Sequence, residues 1–113
     1  MAVQVTTLFA PTVLTASAAV IYTAPASPST TVLTNGRVRF TNTSAGARSI
    51  TAYAVPAAGS PAAGNCFMNA EALAANAHVD VDVPLLGPGG TLQALADVTS
   101  DVTITALSGV LFS

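Results

Sequence analysis

Polar and apolar residues alternate with a period of two in several short stretches of this chain. The clearest is residues 78–83 (HVDVDV), where Val79, Val81 and Val83 fall on one face and His78, Asp80 and Asp82 on the other. Residues 37–43 (RVRFTNT) set Arg37, Arg39 and Thr41 against Val38 and Phe40. Residues 48–55 (RSITAYAV) set Ile50, Ala52 and Ala54 against Thr51, Tyr53 and Val55, and residues 91–98 (TLQALADV) set Leu92, Ala94 and Ala96 against Gln93, Leu95 and Asp97. A period of two is that of a half-buried strand, because successive side chains on a strand point to opposite faces.

Shorter β-branched runs fill the rest. Residues 12–15 (TVLT), 19–23 (AVIYT), 31–34 (TVLT) and 102–107 (VTITAL) read as strands, and residues 3–9 (VQVTTLF) read as an edge strand or as an extended arm detached by Pro11. Asn35-Gly36 carries the strongest short hairpin signal, since both residues tolerate positive φ. Residues 43–47 (TSAGA) read as the turn that joins strands 37–43 and 48–55 into a second hairpin. Prolines mark residues 24–29 as a loop, residues 57–64 (AAGSPAAG) as the longest exposed loop, and Gly87-Pro88-Gly89-Gly90 as a tight turn. Ser108-Gly109 breaks or bulges the last strand before residues 110–112. Residues 65–76 contain good helix formers, yet strand-like neighbours favour strand, turn, strand there, with one helical turn as the alternative. Eight to ten short strands with regular turn signals predict a single all-β domain, an antiparallel β-sandwich of jelly-roll or immunoglobulin-like connectivity.

Composition sharpens this picture. The chain has 113 residues, of which 51% are hydrophobic and only 7% charged. Its outer strand faces must therefore be built from Thr, Ser and Ala, a surface easier to desolvate than one of Lys and Glu and suited to burial against partners. Three arginines, no lysine and a net charge of −2 argue against nucleic-acid binding, which needs several cations to displace counterions. No apolar run approaches the roughly 20 residues of a spanning helix, and no basic residue precedes Arg37 to begin a secretory signal, so a soluble protein is expected.

Chemistry is scarce. His78, Asp80 and Asp82 would share one strand face, but residues two apart on a strand stand about 6.5–7 Å from each other. Three of them cannot reach one metal through ligand bonds near 2 Å, so an outward polar face is the better reading. Cys66 rules out an internal disulfide as the single cysteine and has no neighbouring base or cation to activate it; it reads as a small core residue. One histidine, no G-x-S-x-G motif and a glycine turn without a lysine leave no catalytic, cofactor or metal residue to nominate, and no enzyme activity is expected. What remains is a charge pattern. Arg37 and Arg39 repeat at the spacing of Asp80 and Asp82, so the two sets would pair if their strands were neighbours, within one sheet or across a contact between subunits.

A cadence in the sequence adds to this. The valine-rich strand 78–83 leads to Pro84, a glycine-rich turn, T-L-Q-A-L-A-D at 91–97, V-T-I-T at 102–105 and S-G-V at 108–110; V-R-F-T-N-T-S at 38–44 and I-T-A-Y-A-V at 50–55 precede it. From residue 31 onward the chain resembles small virion structural proteins of tailed bacteriophages. That resemblance implies a compact β-sandwich, often a jelly roll, that decorates or cements a capsid, or else a tail, neck, baseplate or fibre component. It implies a place in the virion after assembly in the bacterial cytoplasm, no cofactor, and partners that are the major capsid protein and further copies of the chain itself, as dimers or trimers. A glycan-binding module is the alternative of another class, although the scarcity of aromatic residues speaks weakly against it.

Overall fold

In a computed structural model the chain is described over residues 3–5, 8–26 and 32–112. Among the described residues nine strands, β1 (Val3–Val5), β2 (Thr12–Val13), β3 (Ala19–Thr23), β4 (Val32–Asn42), β5 (Arg48–Val55), β6 (Cys66–Leu73), β7 (His78–Val83), β8 (Thr91–Ala96) and β9 (Val102–Phe112), form two antiparallel sheets, with one 3-10 turn at Ala63–Asn65. The front sheet runs β1-β9-β4-β7, with β2 pairing β9 on the same edge as β1 but nearer its start. The back sheet runs β3-β8-β5-β6. From β2 onward every connection crosses from one sheet to the other, except the β5–β6 hairpin within the back sheet. That alternation is jelly-roll connectivity, which decides between the two sandwich types.

The core lies between the sheets, where the period-two residues meet. Val38 and Phe40 of β4, Ile50 and Ala52 of β5, Leu92, Ala94 and Ala96 of β8, and Val102 and Ile104 of β9 are all buried. Val55 keeps the face it shares with Thr51 and Tyr53 and stays out of the core cluster. It is buried because the turn 56–59 folds back over it, closed by a hydrogen bond from Gly59 N to Pro56 O of 2.9 Å.

Two expectations about the central stretch are corrected. Asn35-Gly36 makes no hairpin: β4 is one continuous strand, and these two residues form a bulge opposite Gly109 of β9. A second bulge, at Leu107 of β9, restores the register one step later. Each bulge shifts the side-chain alternation by one, since a one-residue slip flips every following residue to the other face. Leu33 and Val38 are thereby both buried, as are Ile104 and Leu111. Strands β4 and β5 are likewise no hairpin, because they belong to different sheets and residues 43–47 bridge them. At Ser108-Gly109, where a break or a bulge was expected, β9 runs on unbroken with its bulge at the preceding Leu107.

Elsewhere the differences are of extent. Residues 12–15 supply only the two-residue β2, and the 91–98 strand stops at Ala96. Residues 65–76 form strand and turn, with Asn76 in the left-handed region at φ 56°. Parts of the expected 3–9 and 31–34 strands and of the 24–29 loop lie outside the described residues. Leu8 is buried against β9, where a Cβ on Gly109 would stand 2.8 Å from its Cδ2; only glycine admits that approach.

Candidate functional site

The outer face of the front sheet carries the charge pattern. Neighbouring strands β4 and β7 set Arg37 opposite Asp82, Arg39 opposite Asp80 and Thr41 opposite His78. The Arg39–Asp80 pair closes as a fork, with Nε donating to Oδ1 at 2.7 Å and Nη2 to Oδ2 at 3.1 Å. A planar guanidinium matches two carboxylate oxygens in this way, which fixes the strand register as well as neutralising charge. The hydrogen bond from Arg39 holds the Asp80 carboxyl below its ordinary range; partial desolvation opposes it, and the positive charges of Arg39, His78 and Arg37 add to it. The same bond raises the pKa of Arg39.

Arg37 and Asp82 do not close. Their Nε–Oδ1 separation is 3.9 Å, too long for a hydrogen bond. Their side chains are 54% and 90% exposed, against 41% and 24% for Arg39 and Asp80.

Arg48, the third arginine, works at a corner. Its Nε donates to Asp101 Oδ2 at 2.7 Å and its Nη1 to Ala47 O at 2.7 Å, while Asp101 O accepts the Thr43 N–H at 3.0 Å. The start of β5 in the back sheet is thus tied to the chain just before β9 in the front sheet.

Beneath that corner sits a residue whose role the charge pattern does not reveal. Asn42, the last residue of β4, is fully buried. Its Nδ2 donates to Gly46 O at 2.8 Å, Ala74 O at 3.1 Å and Leu73 O at 3.2 Å, and its Oδ1 accepts from Ser44 Oγ at 2.7 Å and Ser44 N at 3.0 Å. An amide has two N–H bonds, so one of them serves two of the three carbonyls. Asn42 clamps the β4–β5 bridge to the β6–β7 turn. The alternation contained a signal for it, since residue 42 continues the inward series of Val38 and Phe40 and a buried amide requires partners.

On the back sheet, Tyr53, Cys66, Asn69, Ala62 and Ala63 line a shallow cleft of about 330 Å³. Cys66 is half-buried there and is not a core residue. A bulge at Phe67 sets Cys66 opposite Tyr53 and Met68 opposite Ala52, so Met68 takes the buried place and Cys66 faces outward. Among the described residues no group of three His, Cys, Asp or Glu side chains is placed to hold a metal ion.

Fold and surface together define a jelly-roll β-sandwich with a charge-poor exterior. No protein-family model matches the sequence, and no curated protein does. Two solved structures share its fold. One is from Bacillus endospore appendages, reported as a novel family of disulfide-linked pili; it matches with a TM-score of 0.60 at 11% identity, over 98% of this chain and 88% of that one. The other is a chain in the structure of infectious bursal disease virus, Gx strain, with a TM-score of 0.50 at 14% identity, over 97% of this chain and 30% of that one.

Proposed function

We propose that this chain is a non-enzymatic structural subunit that decorates or cements a bacteriophage capsid. The observation that carries the reading is the surface. Eight charged residues serve a 113-residue jelly roll, and Val13, Val20, Leu85, Val98 and Leu107 stand exposed between Thr, Ser and Ala. Such faces are desolvated at little electrostatic penalty when they meet another protein. A standard contact removes about 800 Å² per partner, roughly one-seventh of the 5572 Å² surface. Contacts with a capsid lattice and with a second copy together would cover about two-sevenths. Both solved neighbours come from assemblies, a pilus and a virus particle, and the cadence of the second half resembles phage virion proteins.

The test is quantitative mass spectrometry of purified phage particles together with a reconstruction in which the chain is placed. Hundreds of copies on the head support the reading. A few dozen copies at the tail, neck or baseplate move the chain to that part of the virion, and absence from particles overturns it. The cleft beside Tyr53 favours a second reading, a glycan-binding module, because an aromatic face next to the Asn69 amide suits a sugar ring. Glycan-array binding that is lost in Tyr53→Ala would support this second reading, and its absence would remove it.

A further inference from the structure

Strand β7 is the outer strand of the front sheet, with β4 on one side and, among the described residues, no strand on the other. Which of its backbone groups are left over follows from one bond. Asn42 N donates to Ala77 O at 2.8 Å, which makes Asn42 and Ala77 a hydrogen-bonded pair. Such pairs recur at every second residue of an antiparallel ladder, so Val79, Val81 and Val83 bond to Phe40, Val38 and Gly36. The N–H and C=O groups of His78, Asp80 and Asp82 therefore point away from β4, toward the open side. The other sheet edges are less able to take a strand. Edge strand β3 has a register shift between Val20 and Tyr22, β6 has shifts on both sides of Ala52, and the far edge of the front sheet is divided between β1 and β2, of three and two residues. Bulges and short strands blunt an edge. Strand β7 keeps one register from Val83 to His78, over all six of its residues. Val79 and Val81 pack on the core from this edge and are half-buried.

We propose that two copies of this chain pair antiparallel along β7, joining their front sheets across a two-fold axis at Asp80. Residues with free backbone groups must oppose one another, and centring the contact on Asp80 opposes all of them. Asp80 then meets Asp80 of the second copy, and His78 meets its Asp82. Each opposed pair exchanges two backbone hydrogen bonds. A slide of one residue sets free groups against bonded ones. A slide of two sets an end residue against Pro84, which has no N–H, or against the turn at Asn76. The side chains select a second copy as the occupant, because the contact is isologous and the strand complements itself. On the outer face the imidazole of His78 lies across from the carboxylate of Asp82, once on each side of the axis. On the inner face Val79 lies across from Val81, and each covers the other. Two like charges meet at the axis, but each Asp80 is already held by its own Arg39. Arg39 thereby neutralises a carboxylate that would otherwise guard the edge. The inference rests on the reading of the chain as an assembly subunit and names one of its contacts.

Sedimentation velocity and amide hydrogen exchange test it on the wild-type chain. Across the concentrations over which the protein dimerises, the amides of His78, Asp80 and Asp82 should gain at least about tenfold protection. Those of Val79, Val81 and Val83, already bonded to β4, should change far less. A pair of variants tests the register. His78→Asp sets carboxylate against carboxylate on both sides of the axis, and Asp82→Arg sets guanidinium against imidazole. Each variant alone should need at least about tenfold more protein to dimerise, equivalent to 1.4 kcal/mol. Mixed in equal amounts, the two should form a heterodimer within about threefold of wild-type affinity, because the new carboxylate then faces the new guanidinium and His78 of one copy faces Asp82 of the other. Pairing inside one chain cannot produce that rescue, since each variant keeps its own altered strand. Circular dichroism checks the folds, and the exchange measurement, which needs no variant, decides the matter should a substitution fail to fold. A dimer whose β7 amides gain no protection, or a mixture no better than its components, overturns this contact and leaves the subunit reading standing. A wild type that stays monomeric to about millimolar concentration also overturns the contact, and absence from particles separately overturns the subunit reading.

Discussion

Replacing Asn42 by alanine should destabilise the domain far more than its small size implies. The side chain is fully buried and satisfies carbonyls on two separate connections. Of these, Leu73 O is bonded in a buried setting, whereas Gly46 O and Ala74 O are part-buried and open to water once the amide is gone. A buried acceptor left without a partner costs about 1–3 kcal/mol, and a typical further bond, here the grip on Ser44, about 1 kcal/mol. The sum for Asn42→Ala is about 2–4 kcal/mol, a large part of the roughly 5–15 kcal/mol that holds an ordinary domain together. Urea unfolding at fixed protein concentration, followed by far-ultraviolet circular dichroism because the chain lacks tryptophan, measures it.

Asn42→Asp sharpens the test, because it keeps the shape and changes only the donor. One carboxylate oxygen would face the three carbonyl oxygens that now accept from Nδ2, so the charged form is disfavoured and the folded-state pKa rises above the unfolded value of about 3.9. A raised folded pKa means that the variant is best tolerated at pH below about 3.9, where both states are protonated and the acid O–H can donate. Its deficit relative to wild type then grows as pH rises through the folded pKa. At neutral pH the Asp variant should be less stable than the Ala variant. An Ala variant destabilised by less than about 1 kcal/mol, or an Asp variant whose deficit ignores pH, would refute the clamp.

Three further outcomes are expected. Gly109→Ala drives a Cβ to 2.8 Å from Leu8 Cδ2 and should cost about 1–3 kcal/mol, yet far less in a Leu8→Ala background; additive costs in a double-mutant cycle would show that the two do not touch. Ala70 sits in the β6 bulge at φ 47°, so Ala70→Gly should be neutral or stabilise by up to about 1 kcal/mol, read as a melting temperature unchanged or a few degrees higher, and a drop would count against strain there. Arg39→Gln should let the Asp80 pKa climb back toward the ordinary carboxylate range in an NMR titration. Because that pKa is depressed in the fold, Asp80 contributes stability above the ordinary range and loses it as pH falls through the folded value, so the variant should lose less on acidification than wild type does.

What could be read from the sequence was local. HVDVDV, RVRF and TLQALA announce their inward faces because alternation within a strand needs no knowledge of its neighbour. Pairing choices escaped, since they are settled by residues far along the chain. Asn35-Gly36 has every local quality of a hairpin turn, but Gly109 and Val83 lie beside it and make it a bulge in a long strand. The 43–47 turn is equally genuine, yet whether it returns into its own sheet or crosses to the other depends on Asn42 reaching Leu73 and Ala74. Cys66 was misjudged for a related reason: its outward placement follows from a bulge opposite Tyr53 that its own neighbours do not signal. The matched spacing of Arg37, Arg39, Asp80 and Asp82 was legible, and the adjacency of their strands was not.

The distribution of charge follows from the same geometry. Each of the three arginines faces one aspartate: Arg39 with Asp80 and Arg37 with Asp82 across β4 and β7, and Arg48 with Asp101 at the corner between sheets. Of the two remaining acids, Asp97 accepts the Ser49 N–H at 3.0 Å, and only Glu71 is left on the exposed face of β6. Charge in this chain therefore sits almost wholly at strand junctions and hardly at all where it would keep copies of the molecule apart. Two of the three ion pairs are short enough, at 2.7 Å, to set register or close a corner. Arg37–Asp82 at 3.9 Å does neither. In a chain this sparing with charge it is also the most exposed of the three pairs, and so the one that salt screens first.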